Sequence, residues 1–226
     1  MGLLYNIVTV AIREFFTLTC RIDNCELSHV PLKGPFIIIS NHINFLEVPV
    51  LFSQLYPRHI IGVAKQESWE KLPLRTLFNI WRVIPIKRGE VDLAAMHKSI
   101  QVLKEGNIIA ISPEGTRSYN GRLQRGLPGV LLLALKSQVP ILPIAHYGGE
   151  NFWENFKRFR RTDFHIRVGQ MFRLKNLPTP TPKDVREQVM TEMMIQLAAL
   201  LPPQYRGVYS DLENATQEYI EFLPPE

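Results

Sequence analysis

The sequence predicts an α/β fold: a single domain with a mostly parallel central sheet flanked by helices. Short apolar, β-branched runs alternate with helical segments between residues 36 and 145, as in successive βαβ units. Phe36–Ile39 is apolar at every position, which is typical of a strand buried on both faces in the middle of a parallel sheet. With 226 residues, 46% of them hydrophobic, the chain is long enough for one such core.

The remaining elements follow from periodicity and from breaker residues. Strands are expected at residues 36–39, 59–64, 83–86, 107–111, 140–145, 164–168 and 171–174, with a strand and turn at 20–30. Helices are expected at residues 3–18, 48–56, 68–80 with a break at Pro73, 93–104, 127–137, 183–200 and, as a last short helix, 211–221. We therefore predict an N-terminal amphipathic helix and lead-in (1–30), a core (31–177), and a linker with a C-terminal helical tail (178–226).

The charge and the cysteines limit the classes of partner. A formal net charge of +5 favours anionic partners, but there is no basic tract of the kind that nucleic-acid-binding proteins carry. Cys20 and Cys25 have no partners at metal-binding spacing, so we expect reduced thiols in a cytosolic compartment. The first apolar run, Leu3–Ile12, is shorter than the roughly 18–20 residues of a spanning helix. This first helix either packs on the core or lies in the plane of a membrane.

A histidine and a carboxylate follow the first buried strand. His42 lies just past the strand end, and Glu47 is five residues further on. A turn must separate them, which places Glu47 in the first turn of a helix. The carboxylate could then accept one imidazole N–H and stabilise the imidazolium that forms when the other nitrogen takes a proton. In the alternative interpretation Asn41 caps the helix and His42 is hydrogen-bonded to the backbone. Glu47 then only stabilises the helix, by placing a negative charge near its N-terminus.

Cations and a glycine-containing turn follow other predicted strands. Lys65 follows one strand, Lys87-Arg88 a second, and Pro113-Glu114-Gly115-Thr116-Arg117-Ser118 a third. The carboxyl ends of parallel strands meet at one sheet edge, where ligands bind. Backbone N–H groups, hydroxyls and a guanidinium suit a phosphate. Each cation taken alone is better explained as a solvated surface charge, but together they predict a phosphate site near His42.

Four segments appear in a fixed order along the chain. They are Asn41-His42 with the acid at Glu47, Ile84-Pro85-Ile86-Lys87-Arg88-Gly89, Pro113-Glu114-Gly115-Thr116-Arg117-Ser118 and Val139-Pro140-Ile141-Leu142-Pro143-Ile144. Together they resemble the four sequence blocks of the glycerolipid acyltransferase family, the PlsC-like 1-acylglycerol-3-phosphate acyltransferases. The resemblance covers roughly residues 30–150, and the ordered set is more specific than any single block.

The resemblance implies an enzyme that moves a fatty acyl group from acyl-CoA or acyl-ACP to the hydroxyl of a lysophospholipid. The acceptor would be 1-acylglycerol 3-phosphate and the product phosphatidic acid. Catalytic roles fall to His42 as general base and to Glu47 as its orienting partner. The substrate-binding residues would be Lys65, Arg88, Glu114, Gly115, Thr116 and Arg117. Of these, Glu114 and Gly115 would shape the loop.

The same resemblance implies an apolar tunnel for the acyl chain, which we expect within Leu72–Trp81 or Leu127–Leu135. No metal and no cofactor besides the acyl thioester co-substrate is expected. The protein would be peripheral or monotopic on the cytoplasmic side of a membrane. Its partners would be acyl-CoA or acyl-ACP, a lysophospholipid and the membrane surface, without nucleic acid.

Glu47 departs from the family pattern, which usually has aspartate at this position. Glutamate is one methylene longer, so the loop or helix must shift to make the same hydrogen bond. Glutamate serves as the acid in some hydrolase triads, and we therefore expect retained activity. The alternatives are the same chemistry on another acceptor (another lysolipid, a glycolipid or an acyl-amino acid) and a non-catalytic lipid-binding homologue.

Overall fold

A computed structural model describes residues 2–87 and 92–224. The strands of this part of the chain are β1 (Cys20–Asp23), β2 (Phe36–Ser40), β3 (Ile60–Lys65), β4 (Ile84–Ile86), β5 (Ile108–Ile111), β6 (Ile141–Tyr147), β7 (Thr162–Val168), β8 (Phe172–Leu174) and β9 (Ile220–Phe222). Its α-helices are α1 (Leu3–Thr19), α2 (Glu47–Gln54), α3 (Leu72–Ile80), α4 (Leu93–Lys104), α5 (Pro128–Ser137), α6 (Phe152–Lys157) and α7 (Lys183–Ala199). Short 3-10 helices occupy Cys25–His29, Gln66–Glu70, Pro203–Tyr205 and Gly207–Tyr209.

The strands form one sheet whose centre is parallel. Its path runs β1-β7-β6-β2-β5-β3-β4, and every pair from β6 to β4 is parallel. β7 lies antiparallel to β6 and carries β1 at the edge, while β8 joins β6 to β9 by antiparallel pairing. The predicted α/β fold with a mostly parallel central sheet flanked by helices is confirmed. The first and last strands, β1 and β9, both belong to this sheet.

Strand β2 is buried on both faces, as its continuous apolar run predicts. Successive side chains of a strand point to opposite faces. Ile37 and Ile39 therefore pack with α4, α5 and α7, and Phe36 and Ile38 pack with α1 and α2. Each fully buried side chain of this size stabilises the fold by about 1.5–3 kcal/mol. The strand therefore holds the residues that follow it in a fixed position.

Two local features differ from the expected helices. The predicted helix 68–80 is divided into the 3-10 helix Gln66–Glu70 and α3, with Pro73 in the first turn of α3, where proline is tolerated. Helix α6, which follows β6, was not predicted because six residues are too few for a periodic pattern. By contrast, α4 begins and ends as predicted, and the Asp92 carboxylate caps it by accepting from the Ala95 N–H at 3.0 Å.

The prediction of a last helix at residues 211–221 is wrong, because this segment ends in strand β9, paired with β8. The reason is a buried carboxylate on α7. Glu192 accepts hydrogen bonds from the backbone N–H groups of Glu218 and Tyr219 and from the Thr216 hydroxyl. The N–H groups that a helix would use internally are thus directed to α7.

Helix α1 packs on the core through one face and leaves apolar side chains exposed on another. Tyr5, Thr9 and Phe16 face the core, and Thr9 Oγ1 accepts a hydrogen bond from Trp81 Nε1 at 3.1 Å. The exposed face is nevertheless apolar and carries Leu3, Leu4, Ile7 and Leu18. Contiguous exposed apolar patches mark interaction surfaces. Across residues 2–87 and 92–224, no helix has the length and apolar character needed to cross a bilayer.

Candidate active site

The candidate site lies at the carboxyl end of β2, where the chain turns into α2. Leu46 occupies the N-cap position of α2, and Glu47 is in its first turn. Asn41 does not cap this helix. Its side chain instead exchanges two 2.9 Å hydrogen bonds with the backbone N–H and C=O of His146 on β6. The turn is thereby fastened to the neighbouring strand, with His42 at its start.

Glu47 lies within reach of His42 despite its extra methylene. Its Oε2 is 3.6 Å from His42 Nδ1. Its Oε1 accepts the backbone N–H of Ile43 at 2.6 Å and also that of Asn44. The His42 side chain keeps 18% of its surface exposed, whereas Glu47 keeps 4%. A buried carboxylate therefore faces a histidine that solvent and substrate can reach, which is the geometry of a general base with an orienting acid.

The electrostatics of Glu47 favour its ionised form. Burial opposes the charge, but hydrogen bonding and charge from His146 and His42 outweigh it and lower the pKa of Glu47 to about 2. The carboxylate is thus a fixed negative charge beside the imidazole. Such a charge stabilises an imidazolium at His42.

A second histidine, His146, was not singled out in the sequence. It lies in β6 with 2% of its side chain exposed, and its Nε2 is 3.6 Å from Glu47 Oε1. Its Nδ1 lies 3.1 Å from Ser40 Oγ. A signal was present, because a histidine ends an otherwise apolar run whose carboxyl end lies at the same sheet edge as His42.

The loop after β5 is hydrogen-bonded to the His42 segment. The N–H of Ser118 donates to His42 O at 2.8 Å, and the N–H of Tyr119 donates to Ile43 O at 3.0 Å. Gly115 has φ +65°, and a Cβ there would lie 2.5 Å from Leu127 Cδ1. Both observations require glycine in this turn. The loop and the histidine segment therefore form a single unit.

Glu114 points inward and organises the backbone. Its Oε1 accepts the His42 N–H at 2.8 Å, and its Oε2 accepts the Gln124 N–H at 2.9 Å. Burial raises the pKa of Glu114 to about 7, although these two N–H groups act in the opposite direction. With its oxygens directed to the backbone, Glu114 shapes the loop that carries Thr116 and Arg117.

The predicted phosphate-binding residues share the sheet edge with His42. Lys65 is the last residue of β3 and is exposed, and after β5 Thr116 is exposed and Arg117 is half-buried. Strands β3 and β5 are parallel to each other and to β2. Arg88 lies outside the described residues. Of the predicted residues, the structure directly joins His42, Glu47 and Glu114 by hydrogen bonds or close ionic contact.

Beside the site is an apolar groove of about 400 Å³ between α1, α2 and α3. Pro49, two residues after Glu47, and Leu77 line it, and the α1 residues are Val8, Ala11, Ile12, Phe15 and Phe16. Leu77 belongs to the segment in which an acyl tunnel was expected, but α1 supplies most of the walls. Over residues 2–87 and 92–224, no three His, Cys, Asp or Glu side chains are grouped as metal ligands.

Comparison with known protein families bears directly on this geometry. The acyltransferase family model matches residues 21–147, more than half of the chain. The chain belongs to the acyltransferase family. The matched region contains His42, Glu47, the 113–118 loop and His146, whereas the α1 residues that line the groove precede it.

Several relatives of this acyltransferase-family chain have assigned names. It is 32% identical over 128 residues to the 1-acyl-sn-glycerol-3-phosphate acyltransferase of Borreliella burgdorferi, covering 55% of this chain and 50% of that protein. The Bacillus subtilis protein of the same name is 25% identical over 156 residues, covering 69% and 77%. That of Limnanthes douglasii is 35% identical over 139 residues, covering 60% and 47%. The match thus spans about half of two of these relatives.

A solved structure resembles this acyltransferase-family chain in fold. The 1-acyl-sn-glycerophosphate (LPA) acyltransferase PlsC from Thermotoga maritima has a TM-score of 0.62, covering 87% of this chain and 79% of that one. The two sequences are 19% identical, so this likeness concerns the fold alone.

Proposed function

We propose that this chain transfers a fatty acyl group from an acyl thioester to the hydroxyl of 1-acylglycerol 3-phosphate and so forms phosphatidic acid. The observation that carries the proposal is the exposed imidazole of His42 backed by the buried carboxylate of Glu47 at 3.6 Å. The names of the relatives support the choice of acceptor. The donor is acyl-CoA or acyl-ACP.

In the proposed mechanism His42 Nε2 takes the proton of the acceptor hydroxyl as its oxygen attacks the thioester carbonyl carbon. The Glu47 carboxylate, facing Nδ1, stabilises the imidazolium that forms. The tetrahedral intermediate then collapses, the C–S bond breaks, and His42 returns the proton to the departing sulfur. The transfer needs no nucleophilic Ser or Cys, and Cys20 and Cys25 lie outside the four sequence blocks.

Acceptor recognition is assigned to the cationic end of the sheet. Lys65 ends β3, whereas Thr116 and Arg117 follow β5, and β5 lies between β3 and β2 in the sheet. A guanidinium and a hydroxyl on a rigid loop suit a phosphate monoester. We assign Arg88 to the same role from the family resemblance. Positioning of the acceptor by its phosphate would supply much of the catalysis.

The groove between α1, α2 and α3 is proposed to hold the acyl chain. All of its lining side chains are apolar, and Pro49 places it next to the turn of α2 that carries Glu47. An apolar chain leaves water on entering such a groove, which favours binding by about 0.8 kcal/mol per buried methylene.

The membrane surface is proposed as the source of the lipid acceptor. The exposed apolar face of α1 continues onto α6, because Phe15 and Phe156 lie with ring centroids 6.0 Å apart. Next to α6, Phe159 is 100% exposed, and Lys157, Arg158 and Arg160 are exposed beside it. Aromatic and apolar side chains mixed with cations suit an anionic lipid surface on the cytoplasmic side.

The stacking of Phe45 on Trp153 links this surface to the catalytic turn. The ring centroids are 5.1 Å apart with planes at 20°. Phe45 lies between His42 and Glu47 in the sequence, and Trp153 is an exposed residue of α6. An acceptor leaving the bilayer at α6 would therefore arrive beside the base.

The test is acyl transfer by the purified chain. It is incubated with acyl-CoA, and separately with acyl-ACP, together with a panel of lysolipids, and both free thiol and the acylated product are measured. We expect thiol release with 1-acylglycerol 3-phosphate. His42→Ala should lower the rate by about 10²–10⁴-fold, whereas His59→Ala, at the amino end of β3, should not. No thiol release with either donor and any acceptor would favour the non-catalytic lipid-binding alternative.

A further inference from the structure

His146 reaches the same carboxylate as His42, through the other oxygen. His146 Nε2 lies 3.6 Å from Glu47 Oε1, and His42 Nδ1 lies 3.6 Å from Glu47 Oε2. Glu47 is thus placed between two imidazoles, one exposed to substrate and one buried. The buried ring is parallel to that of Phe164, with an interplanar angle of 10° and centroids 5.9 Å apart.

Contacts on the other side of the His146 ring hold it in place. Ser40 Oγ donates to the Ile144 carbonyl at 2.7 Å, so its hydrogen is already used. The Ser40 oxygen can then accept the Nδ1–H of His146 at 3.1 Å. The Asn41 side chain holds the His146 backbone through its N–H and its C=O. Nδ1 therefore has its partner, and Nε2 is left to face Glu47.

Two buried atoms point to hydrogen bonds between Glu47 and the histidines, one for each histidine. Among the described residues, His146 Nε2 and Glu47 Oε2 are buried side-chain atoms that lack a hydrogen-bond partner. Buried polar atoms of folded proteins are almost always paired. His146 Nε2 lies 3.6 Å from Glu47 Oε1, and Glu47 Oε2 lies 3.6 Å from His42 Nδ1. Hydrogen bonds at catalytic sites often shorten when substrate binds.

We infer that His146 is a positioning residue, which donates its Nε2–H to Glu47 and so holds the carboxylate against His42. Since Nδ1–H would be donated to Ser40 as well, the expected ring has a proton on each nitrogen, and its contact with Glu47 is then a buried ion pair. The inference rests on the proposed acyl transfer, because it gives His146 a role through His42. It also gives a use to a buried imidazole that the transfer mechanism itself does not require.

Two amide substitutions distinguish the contact made by Nε2 of His146 from the contact made by its Nδ1. In His146→Gln the amide nitrogen can take the place of Nε2 and keep the contact with Glu47. In His146→Asn the shorter amide reaches the place of Nδ1 and keeps only the contact with Ser40. We expect His146→Asn to lower kcat by about 10–100-fold with little change in the KM of either substrate. His146→Gln should recover most of that loss.

Controls distinguish a loss of positioning at Glu47 from a general loss of folding or stability. His165→Gln, whose amide takes the place of Nε2 and not that of Nδ1, breaks another histidine–carboxylate pair, His165 Nδ1 with Asp23 Oδ2 at 3.3 Å, and should leave kcat unchanged. Thermal unfolding of the Asn and Gln variants of His146 shows whether both are folded. Equal kcat for His146→Asn and wild type, or equal losses for Asn and Gln, would overturn the inference. An inactive wild type would count against the proposed function instead.

A spectroscopic measurement tests the contact without turnover. Histidine ¹⁵N NMR of the wild type, assigned by loss of the signal in His146→Gln, reports which ring nitrogens carry protons. The inference requires a proton on Nε2 of His146, with both nitrogens protonated as the expected result. A neutral ring protonated on Nδ1 alone would leave Glu47 Oε1 without that donor and would overturn the inference, whether or not the protein is active.

Discussion

At the scale of single residues, the proposed role of His42 as a base depends on Glu47. Its carboxylate is buried, yet backbone N–H groups of Ile43 and Asn44 and two imidazoles surround it. Because hydrogen bonding and charge from His146 and His42 stabilise the anion, the pKa of Glu47 lies far below its usual range despite burial. The charge, and not merely the shape, of this side chain should therefore matter for transfer.

Substitutions of Glu47 separate charge from reach. Glu47→Gln keeps the length but removes the charge, and we expect kcat to fall by about 10²–10⁴-fold. Glu47→Asp keeps the charge but loses one methylene, so it should retain more activity than Gln. Thiol release under saturating substrates measures both. A Gln variant with kcat close to wild type would contradict the role of the carboxylate.

Glu114 gives the stability of the protein a pH dependence. Its pKa is raised from 4.5 to about 7 in the fold because the carboxyl is buried. The folded state therefore binds the proton more tightly than the unfolded state does, and this contribution to stability is lost as the pH rises through about 7. Relative to Glu114→Gln, the free energy of unfolding of the wild type, measured by urea titration, should fall as the pH is raised from 4.5 to about 7. Parallel pH curves for the two proteins would contradict this.

At the scale of elements, helices α1, α2 and α3 enclose the apolar groove. We expect Leu77→Trp on α3 to shorten the groove and to lower the rate with long-chain acyl donors more than with short-chain donors. Leu72→Trp, on an exposed position of the same helix that does not line the groove, is the matched control. The measurement is the ratio of kcat/KM for a long and a short acyl donor. An unchanged ratio in Leu77→Trp would place the acyl chain elsewhere.

At the scale of the whole molecule, the apolar face of α1 and the cations beside α6 lie on the sheet side opposite α4. The wild type should float with vesicles that contain phosphatidylglycerol. Leu4→Glu together with Ile7→Glu should lower the bound fraction, because charge would enter the bilayer interface. Leu93→Glu, at an equally exposed leucine on α4, should not. A wild type that stays in the aqueous fraction would contradict membrane binding.

Much of this architecture was predictable because local patterns agreed with the final packing. The apolar run of β2 and the spacing of His42 and Glu47 predicted a strand, a turn and an acid in the first turn of a helix, and these are present. Strand β9 was not predictable, because Glu192 on α7, distant in the sequence, binds the backbone N–H groups of the two residues that precede it. His146 was missed for a similar reason, since its partners Ser40 and Glu47 lie about a hundred residues earlier.

The two backbone hydrogen bonds from Ser118 and Tyr119 to His42 and Ile43 have a consequence for how the reaction responds to its acceptor. They join the loop that bears Arg117 to the base before any lipid arrives, so acceptor binding has little left to rearrange. Because Arg117 is proposed to position the acceptor through its phosphate, removing its guanidinium should lower turnover at saturation as well as capture of the acceptor, measured as kcat and KM for 1-acylglycerol 3-phosphate. The loop and His42 therefore hold their relative positions before the acceptor binds, and no closure of the loop over the acceptor is needed.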